Sequence, residues 1–178
     1  LLTYPRTDSK CLPEDYIPNI KSNIKGFADG ISSPSLDQQV INSSSKVIAN
    51  DWVKPNKRIF NDAKISDHFA IIPTGKIPTS SLKEQEQKIY DLVTRRLIAI
   101  FFPSAEFETT RRITRIDQDS FLTTGKVLVT PGYLEVYGRK PGVAAEKDEL
   151  IAAETGDQAK AIETELKEEA TRPPARYT

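Results

Sequence analysis

The chain has 178 residues, 38% of them hydrophobic, and its 25 basic and 25 acidic side chains leave no formal net charge. This length suits one ordinary domain or two small ones with a buried core, and zero net charge confines any nucleic-acid surface to a local patch. The single cysteine, Cys11, excludes an internal disulfide, and no set of cysteines and histidines has the spacing of a zinc site. No apolar run approaches the ~20 residues needed to cross a bilayer. We therefore expect a cytoplasmic or nuclear protein.

The chain begins at Leu1 and contains no methionine, so we expect it to be a piece of a longer protein. Its first predicted helix lies near this start. Pro13, Glu14 and Asp15 are typical of a first helical turn. Four apolar side chains then recur at helical spacing: Tyr16, Ile17, Ile20 and Ile24. We expect this helix to end at Gly26, and the polar residues 28–55 to form short helices joined by loops.

The most regular helical pattern precedes Pro103. Ser81 and Glu84 have the spacing of a capping box, which predicts where the helix begins. The predicted amphipathic face comprises Leu82, Ile89, Leu92, Val93, Arg96 and Ile100.

Beyond residue 103 the hydrophobic period changes from helical to alternating. Four stretches are predicted strands: FETTRRITRI, SFLTTGKVLVT, GYLEVYG and KAIETELK. The TRPP sequence at 171–174 stops regular structure. The predicted fold is therefore α+β, with a helix-rich, tyrosine-bearing domain over 1–103, a β-rich domain over 104–170, and a crossing into another domain over 171–178.

The opening stretch LLTYPRTDSK contains a candidate nucleophile. A tyrosine that attacks a phosphate needs a nearby cation and a fixed backbone; Arg6 supplies the planar fork that binds phosphate, and Pro5 favours an extended backbone at Tyr4. His68, the only histidine, would donate to a phosphate oxygen or move a proton, with Asp67 beside it. The alternatives are a strand tyrosine and a packed histidine.

The densest basic cluster comprises Arg95, Arg96, Arg111, Arg112 and Arg115. These side chains would either contact phosphates or form solvated and salt-bridged surface. The sequence Thr74-Gly75-Lys76 lacks the spacing of a phosphate-binding loop, so nothing in the sequence argues for ATP.

Five stretches, in order, resemble the type IA DNA topoisomerases. TYPRTDS resembles the active-site tyrosine motif of that family, DHFAIIPT its histidine segment and IYDLVTRRLIAIFFP its following helix. FLTTGKVLVTPGYLEVYG resembles its β-rich gate, and TRPPARYT the return into its helical base. The proline after the tyrosine and AIIPT after the histidine are more similar to the topoisomerase III branch.

The resemblance implies roles for individual residues. Tyr4 would attack a single-stranded DNA phosphodiester and leave a 5′-phosphotyrosyl link, with Arg6 and His68 as catalytic partners. The residues implied to bind DNA are Thr7, Asp8, Ser9, Thr74, Arg96 and Arg176. Because the phosphotyrosine conserves the energy of the broken bond, the free 3′-hydroxyl reseals the strand without ATP after another strand has passed.

The resemblance also implies a Mg²⁺ ion held by a Toprim domain outside this chain, so no residue here is assigned to a metal. The implied partners are single-stranded DNA, the protein's own Toprim and helical base domains, and a helicase, at the bacterial nucleoid and without a membrane. This piece alone would then be inactive. Tyrosine recombinases place their nucleophile after its helpers, which argues against them; the other alternative is a non-catalytic DNA-binding or gate module.

Overall fold

A computed structural model describes residues 1–30, 33–141, 150, 153–158, 160, 168 and 170–171. Helix α1 spans Ile17–Asp29 after a 3-10 turn at Glu14–Tyr16, α2 spans Gln38–Ala49, and α3 spans Glu84–Ala99. Strands β1 (Glu106–Ile116) and β2 (Asp119–Thr130) follow, and further 3-10 turns lie at Asp62–Lys64 and Gly132–Tyr137. The fold is α+β, as predicted, while the division into domains stays a prediction.

The three helices enclose one hydrophobic core. Its fully buried members include Ile20, Ile24 and Phe27 of α1 and Val40 and Val47 of α2. Two aromatic contacts close the core from the connecting segments: Trp52 lies edge-on to Phe102 at 4.8 Å, and Phe60 stacks with Phe101 at 6.2 Å. Leu12 forms a parallel bridge with Phe60, so the end of the opening stretch is held against this core.

The predicted end of the first helix at Gly26 is wrong, because α1 continues to Asp29. A glycine inside a helix costs only about 1 kcal/mol relative to alanine. The next residue, Phe27, is completely buried, and burying a phenylalanine side chain contributes roughly 2–3 kcal/mol. Burial of Phe27 therefore outweighs the cost of Gly26, and the helix continues to Asp29, with Gly30 as its C-cap.

Helix α3 differs from its prediction at its start and on its face. It begins at Glu84, and the carboxylate of Glu86 accepts the Lys83 backbone N–H at 3.1 Å, so Ser81 is not the cap. Ile89 and Leu92 are 56% and 64% exposed. The buried residues are instead Tyr90, Thr94, Leu97, Ile98 and Ala99, because that side of the helix meets α2 and the Gly132–Tyr137 turn.

The two long strands form the antiparallel hairpin that their alternation predicts. Arg111 pairs with Thr124 and Ile113 with Leu122, and the connecting turn has Asp117 at a φ of 53°. The predicted strand GYLEVYG is wrong: it is a 3-10 turn, since Gly132 at φ 48° turns the chain out of the extended conformation and Val136 is completely buried. The predicted strand KAIETELK lies almost entirely outside the described residues.

Candidate active site

The site is formed by two segments that lie outside the long helices and strands: residues 1–12 (the tyrosine segment) and residues 64–74 (the histidine segment). Two backbone hydrogen bonds join the start of the tyrosine segment to the end of the histidine segment. The Thr74 N–H donates to Leu1 O and the Thr3 N–H donates to Ile72 O, both at 2.9 Å. At the other end, the Ala70 N–H donates to Cys11 O at 3.0 Å. Pairing on both sides fixes the backbone from which Tyr4 and His68 project.

From Arg6 to Lys10 the side chains alternate between exposed and half-buried positions. Tyr4, Arg6 and Asp8 are exposed, whereas Thr7 and Ser9 are half-buried. Extended backbone sends successive side chains to opposite sides, and Pro5 restricts both its own φ and the conformation of Tyr4. The phenol, the guanidinium and the carboxylate therefore lie on the open side of the segment.

Tyr4 lies against His68. Their ring centroids are 4.6 Å apart at an interplanar angle of 43°, although 64 residues separate them along the chain. Tyr4 is 56% exposed, so the residue is accessible from solvent. This contact brings together two of the residues to which the family resemblance assigns catalytic roles.

An open cleft of about 810 Å³ surrounds this pair. Its described lining is Tyr4, Pro5, Arg6, Thr7, Asp8, Ser66, Asp67 and His68. The cleft thus unites all three predicted catalytic residues with two of the predicted DNA-binding residues. Sequence reasoning assigned no role to Ser66, whose hydroxyl donates to the Asp8 carboxylate at 3.4 Å; its position two residues before the only histidine was the available indication.

The remaining predicted DNA-binding residues lie outside this described lining. The Ser9 hydroxyl donates to Lys64 O at 2.8 Å, and the Thr74 hydroxyl to Leu1 O at 3.3 Å. Arg96 is exposed on α3, and Arg176 lies outside the described residues. The contact of these four residues with DNA stays a prediction.

The predicted arginine cluster is divided in the structure. Arg95 is only 15% exposed and binds the carboxylates of Asp91 and Asp37. Burial opposes its charge, but the hydrogen bonds and attraction of these two carboxylates outweigh burial and raise the pKa of Arg95 above its ordinary value. Arg95 is therefore a structural ion-pair centre, which agrees with the salt-bridge alternative.

The hairpin arginines are divided too. Arg111, Ile113 and Arg115 follow one another at every second position of β1, so their side chains lie on the same face of the hairpin. Arg112 lies on the opposite face, between them in sequence. No more than two of the five arginines therefore line a common face of the hairpin.

Two observations bear on metals and membranes. Among the described residues, no group of three or more histidine, cysteine, aspartate or glutamate side chains is placed to hold a metal ion. Within the same part of the chain, no helix is long and apolar enough to cross a membrane.

A tyrosine hydroxyl near an arginine and a histidine is chemically suited to exchange phosphodiester bonds through a covalent intermediate. The family model of DNA topoisomerase matches residues 1–178, and the chain belongs to this family. The resemblance drawn from the five motifs is thereby confirmed.

The relatives agree with the topoisomerase III branch. A protein of Bacillus subtilis named DNA topoisomerase 3 is 34% identical over 182 residues, which cover 99% of this chain and 24% of that protein. Its namesake in Bacillus licheniformis is 35% identical with the same coverage, and one in Bacillus cereus is 37% identical over 77% of this chain and 18% of its own length. The chain spans about a quarter of the length of the first two relatives.

Proposed function

We propose that this chain is the tyrosine-bearing part of a type IA DNA topoisomerase, which cuts one DNA strand, allows another strand to pass and reseals the cut without ATP. The observation that carries the proposal is the contact of the exposed Tyr4 ring with His68 in a cleft that Arg6 also lines. The family membership of the whole chain supports it.

The proposed reaction is a transesterification. The Tyr4 hydroxyl oxygen forms a bond to phosphorus as the bond from phosphorus to the 3′-oxygen of the preceding nucleotide breaks. The phenol proton leaves, and the departing 3′-oxygen takes one up. The downstream strand is then linked to Tyr4 through its 5′-phosphate. Reversal of the same steps reseals the strand, because the new phosphodiester conserves the energy of the bond that was broken.

Arg6 and His68 would lower the barrier to this attack. A free phenol has a pKa of ~10, so forming the phenolate at pH 7 costs roughly 4 kcal/mol. A guanidinium close to the phenol and the phosphate offsets that cost as negative charge develops. His68, which is in ring contact with Tyr4, would donate a hydrogen bond or transfer a proton at the reacting oxygens.

Magnesium, which the family resemblance implies, does not fit the described residues. The carboxylates of Asp8 and Asp67 line the cleft, but no cluster of three or more potential metal-ligating side chains is found in the described part of the chain, and Mg²⁺ sites are built from several oxygen ligands. We therefore propose that the ion is held by a Toprim domain outside residues 1–178, and we derive no step through it.

The proposed substrate is single-stranded DNA at the bacterial nucleoid. Its phosphates would follow the open side of the tyrosine segment, where Arg6 is exposed, and exposed Arg96 would contribute a further phosphate contact. The Toprim and helical base domains of the full-length protein would bind the rest of the strand, and a helicase would supply single-stranded DNA.

The test uses the full-length protein with a single-stranded oligonucleotide and Mg²⁺. Since the proposed link is to a 5′-phosphate, a label at the 3′ end should travel with the denatured protein, whereas a 5′ label should appear in a shorter free fragment. Tyr4→Phe should abolish the adduct. Tyr133→Phe, which alters another exposed tyrosine at 39% exposure, is the matched control and should retain it.

The outcomes separate the proposal from its alternative. Tight DNA binding with no adduct from the unaltered protein would favour a non-catalytic DNA-binding or gate module. An adduct that survives Tyr4→Phe would place the nucleophile elsewhere. We also expect the 178-residue chain alone not to relax supercoiled DNA, and magnesium-dependent relaxation by it would contradict that expectation.

A further inference from the structure

Hydroxyl side chains, rather than backbone pairs alone, join the tyrosine segment to the histidine segment. Thr3 precedes the nucleophile: its hydroxyl donates to Ala70 O at 3.2 Å and accepts the Ile72 N–H at 2.9 Å. Both hydrogen-bonding capacities of this side chain are therefore used within the protein, two and four residues after His68.

Thr7 makes the corresponding connection on the other side of Tyr4. Its hydroxyl donates to the carbonyl oxygen of His68 at 2.8 Å, and the Thr7 hydroxyl oxygen accepts the Ser9 N–H at 3.1 Å. The hydroxyl hydrogen is thus committed to His68. For Thr7 to donate to a DNA phosphate, as the resemblance implies, this bond would have to break.

The side chain of His68 has no hydrogen-bond partner in the described part of the chain, and the residue is exposed. Its described contact is with the Tyr4 ring. The direction of the imidazole is therefore set by that ring contact and by its own backbone, whose carbonyl is held by Thr7. A hydrogen bond to the His68 carbonyl restrains the backbone at His68 and, with it, the direction of the Cα–Cβ bond from which the imidazole extends.

We propose that Thr7 is a positioning residue, which holds His68 against Tyr4 through the His68 carbonyl and does not itself contact DNA. The inference rests on the proposed function, because the value of holding His68 depends on its part in strand cleavage. It accounts for the half-burial of Thr7 between the exposed side chains of Arg6 and Asp8. Loss of the hydroxyl should leave DNA binding intact and slow the covalent step.

The test compares Thr7→Val, which keeps the shape but lacks the hydroxyl, with Thr7→Ser, which keeps the hydroxyl. In the full-length protein, with saturating 3′-labelled single-stranded oligonucleotide and Mg²⁺, Thr7→Val should slow adduct formation about fivefold to tenfold, as the loss of one hydrogen bond allows. Thr7→Ser should recover most of the rate. The Kd for the oligonucleotide, measured without Mg²⁺, should change less than about twofold for either variant.

A double-variant comparison tests whether Thr7 acts through His68. If it does, adding Thr7→Val to His68→Ala should cause almost no further loss of cleavage rate, because the group being positioned is already gone. An equal loss in both backgrounds would overturn the inference in favour of a general structural role. A weakened Kd with an unchanged rate at saturation would overturn it in favour of a direct phosphate contact.

Failure of the inference can be told from failure of the proposed function. If the unaltered protein forms no adduct, both are overturned. If it forms an adduct and Thr7→Val forms it at the same rate, only the inference is overturned. Should Thr7→Val melt well below the unaltered protein, Thr7→Ala takes its place in the same comparisons, with the same expected results.

Discussion

Arg95 offers the sharpest test of how the helices are held together. Its guanidinium donates to the Asp91 carboxylate at 2.8 and 2.9 Å and to Val136 O at 2.7 Å, and it also binds the Asp37 carboxylate. Asp37 is the N-cap of α2, where it accepts the Val40 N–H at 2.9 Å. One side chain thus connects α3, the start of α2 and the Gly132–Tyr137 turn.

We expect Arg95→Met to destabilise the chain by about 3 kcal/mol. Asp37 is 52% exposed and Asp91 35%, so both regain water when the guanidinium is lost and we discount their ion pairs heavily. One hydrogen bond to a charged group contributes roughly 1.5–3 kcal/mol, and leaving the buried carbonyl of Val136 without its donor costs roughly 1–3 kcal/mol. Methionine preserves the apolar stem, so lost packing adds little.

Urea denaturation of the 178-residue chain, followed by the fluorescence of its single tryptophan, Trp52, measures this loss. Trp52 packs against Phe102 in the core, so it reports on the affected helices. A thermal melt should shift down by roughly 6–12 °C. The matched control is Arg96→Met, at the exposed neighbouring position, which should change stability by less than about 0.5 kcal/mol. Equal effects at both positions would refute the ion-pair centre.

Two further predictions concern a turn and a surface ion pair. Gly132→Ala should destabilise the chain by roughly 3 kcal/mol or more, because the φ of Gly132 is 48° and an added Cβ would lie 2.3 Å from the Ser104 carbonyl oxygen. The control, Gly138→Ala, has a φ of 79° but open space around its Cβ and should cost about 1–2 kcal/mol, so equal melting temperatures for the two variants would contradict the prediction. The Lys21 ammonium lowers the pKa of Asp51 by a hydrogen bond and by charge attraction, so the stabilisation from this ion pair is present above pH ~4 and is lost as the pH falls below that value. When stability is followed as the pH is lowered, Lys21→Met should lose less stability than the unaltered chain, and identical losses would contradict a stabilising ion pair.

Local patterns predicted the elements better than the contacts between them. The long strands were predicted almost to the residue, because strict alternation is a property of the strand itself. The face of α3 was not, because Ile89 and Leu92 are as hydrophobic as the buried Leu97 and Ile98. Hydrophobicity states which side chains favour burial, whereas the position of α2 and of the Gly132–Tyr137 turn decides which of them become buried.

The site shows the same division. Tyr4 and Arg6 lie two residues apart and could be paired from sequence alone, by the alternation of an extended segment. The contact of Tyr4 with His68 spans 64 residues, and only the ordered family motifs indicated that these two belong together. The inward direction of Thr7 required the structure, because residue type alone does not distinguish a hydroxyl that binds phosphate from one that binds a carbonyl.

Tyr90 tests a polar group that burial leaves without compensation. The residue is 2% exposed, and neither its hydroxyl nor that of buried Thr94, one turn away, has a hydrogen-bond partner of normal geometry among the described residues. Tyr90→Phe should therefore leave stability unchanged at pH 7 or raise it by about 1 kcal/mol. Burial raises the pKa of Tyr90, so the unfolded chain loses this proton first and stability falls as pH rises past about 10. Tyr90→Phe lacks that loss, and its advantage in urea denaturation should widen between pH 9 and 11, whereas Tyr133→Phe at an exposed position serves as the control. A Tyr90→Phe variant that is less stable at pH 7 by more than about 1 kcal/mol would show that the hydroxyl is hydrogen-bonded after all.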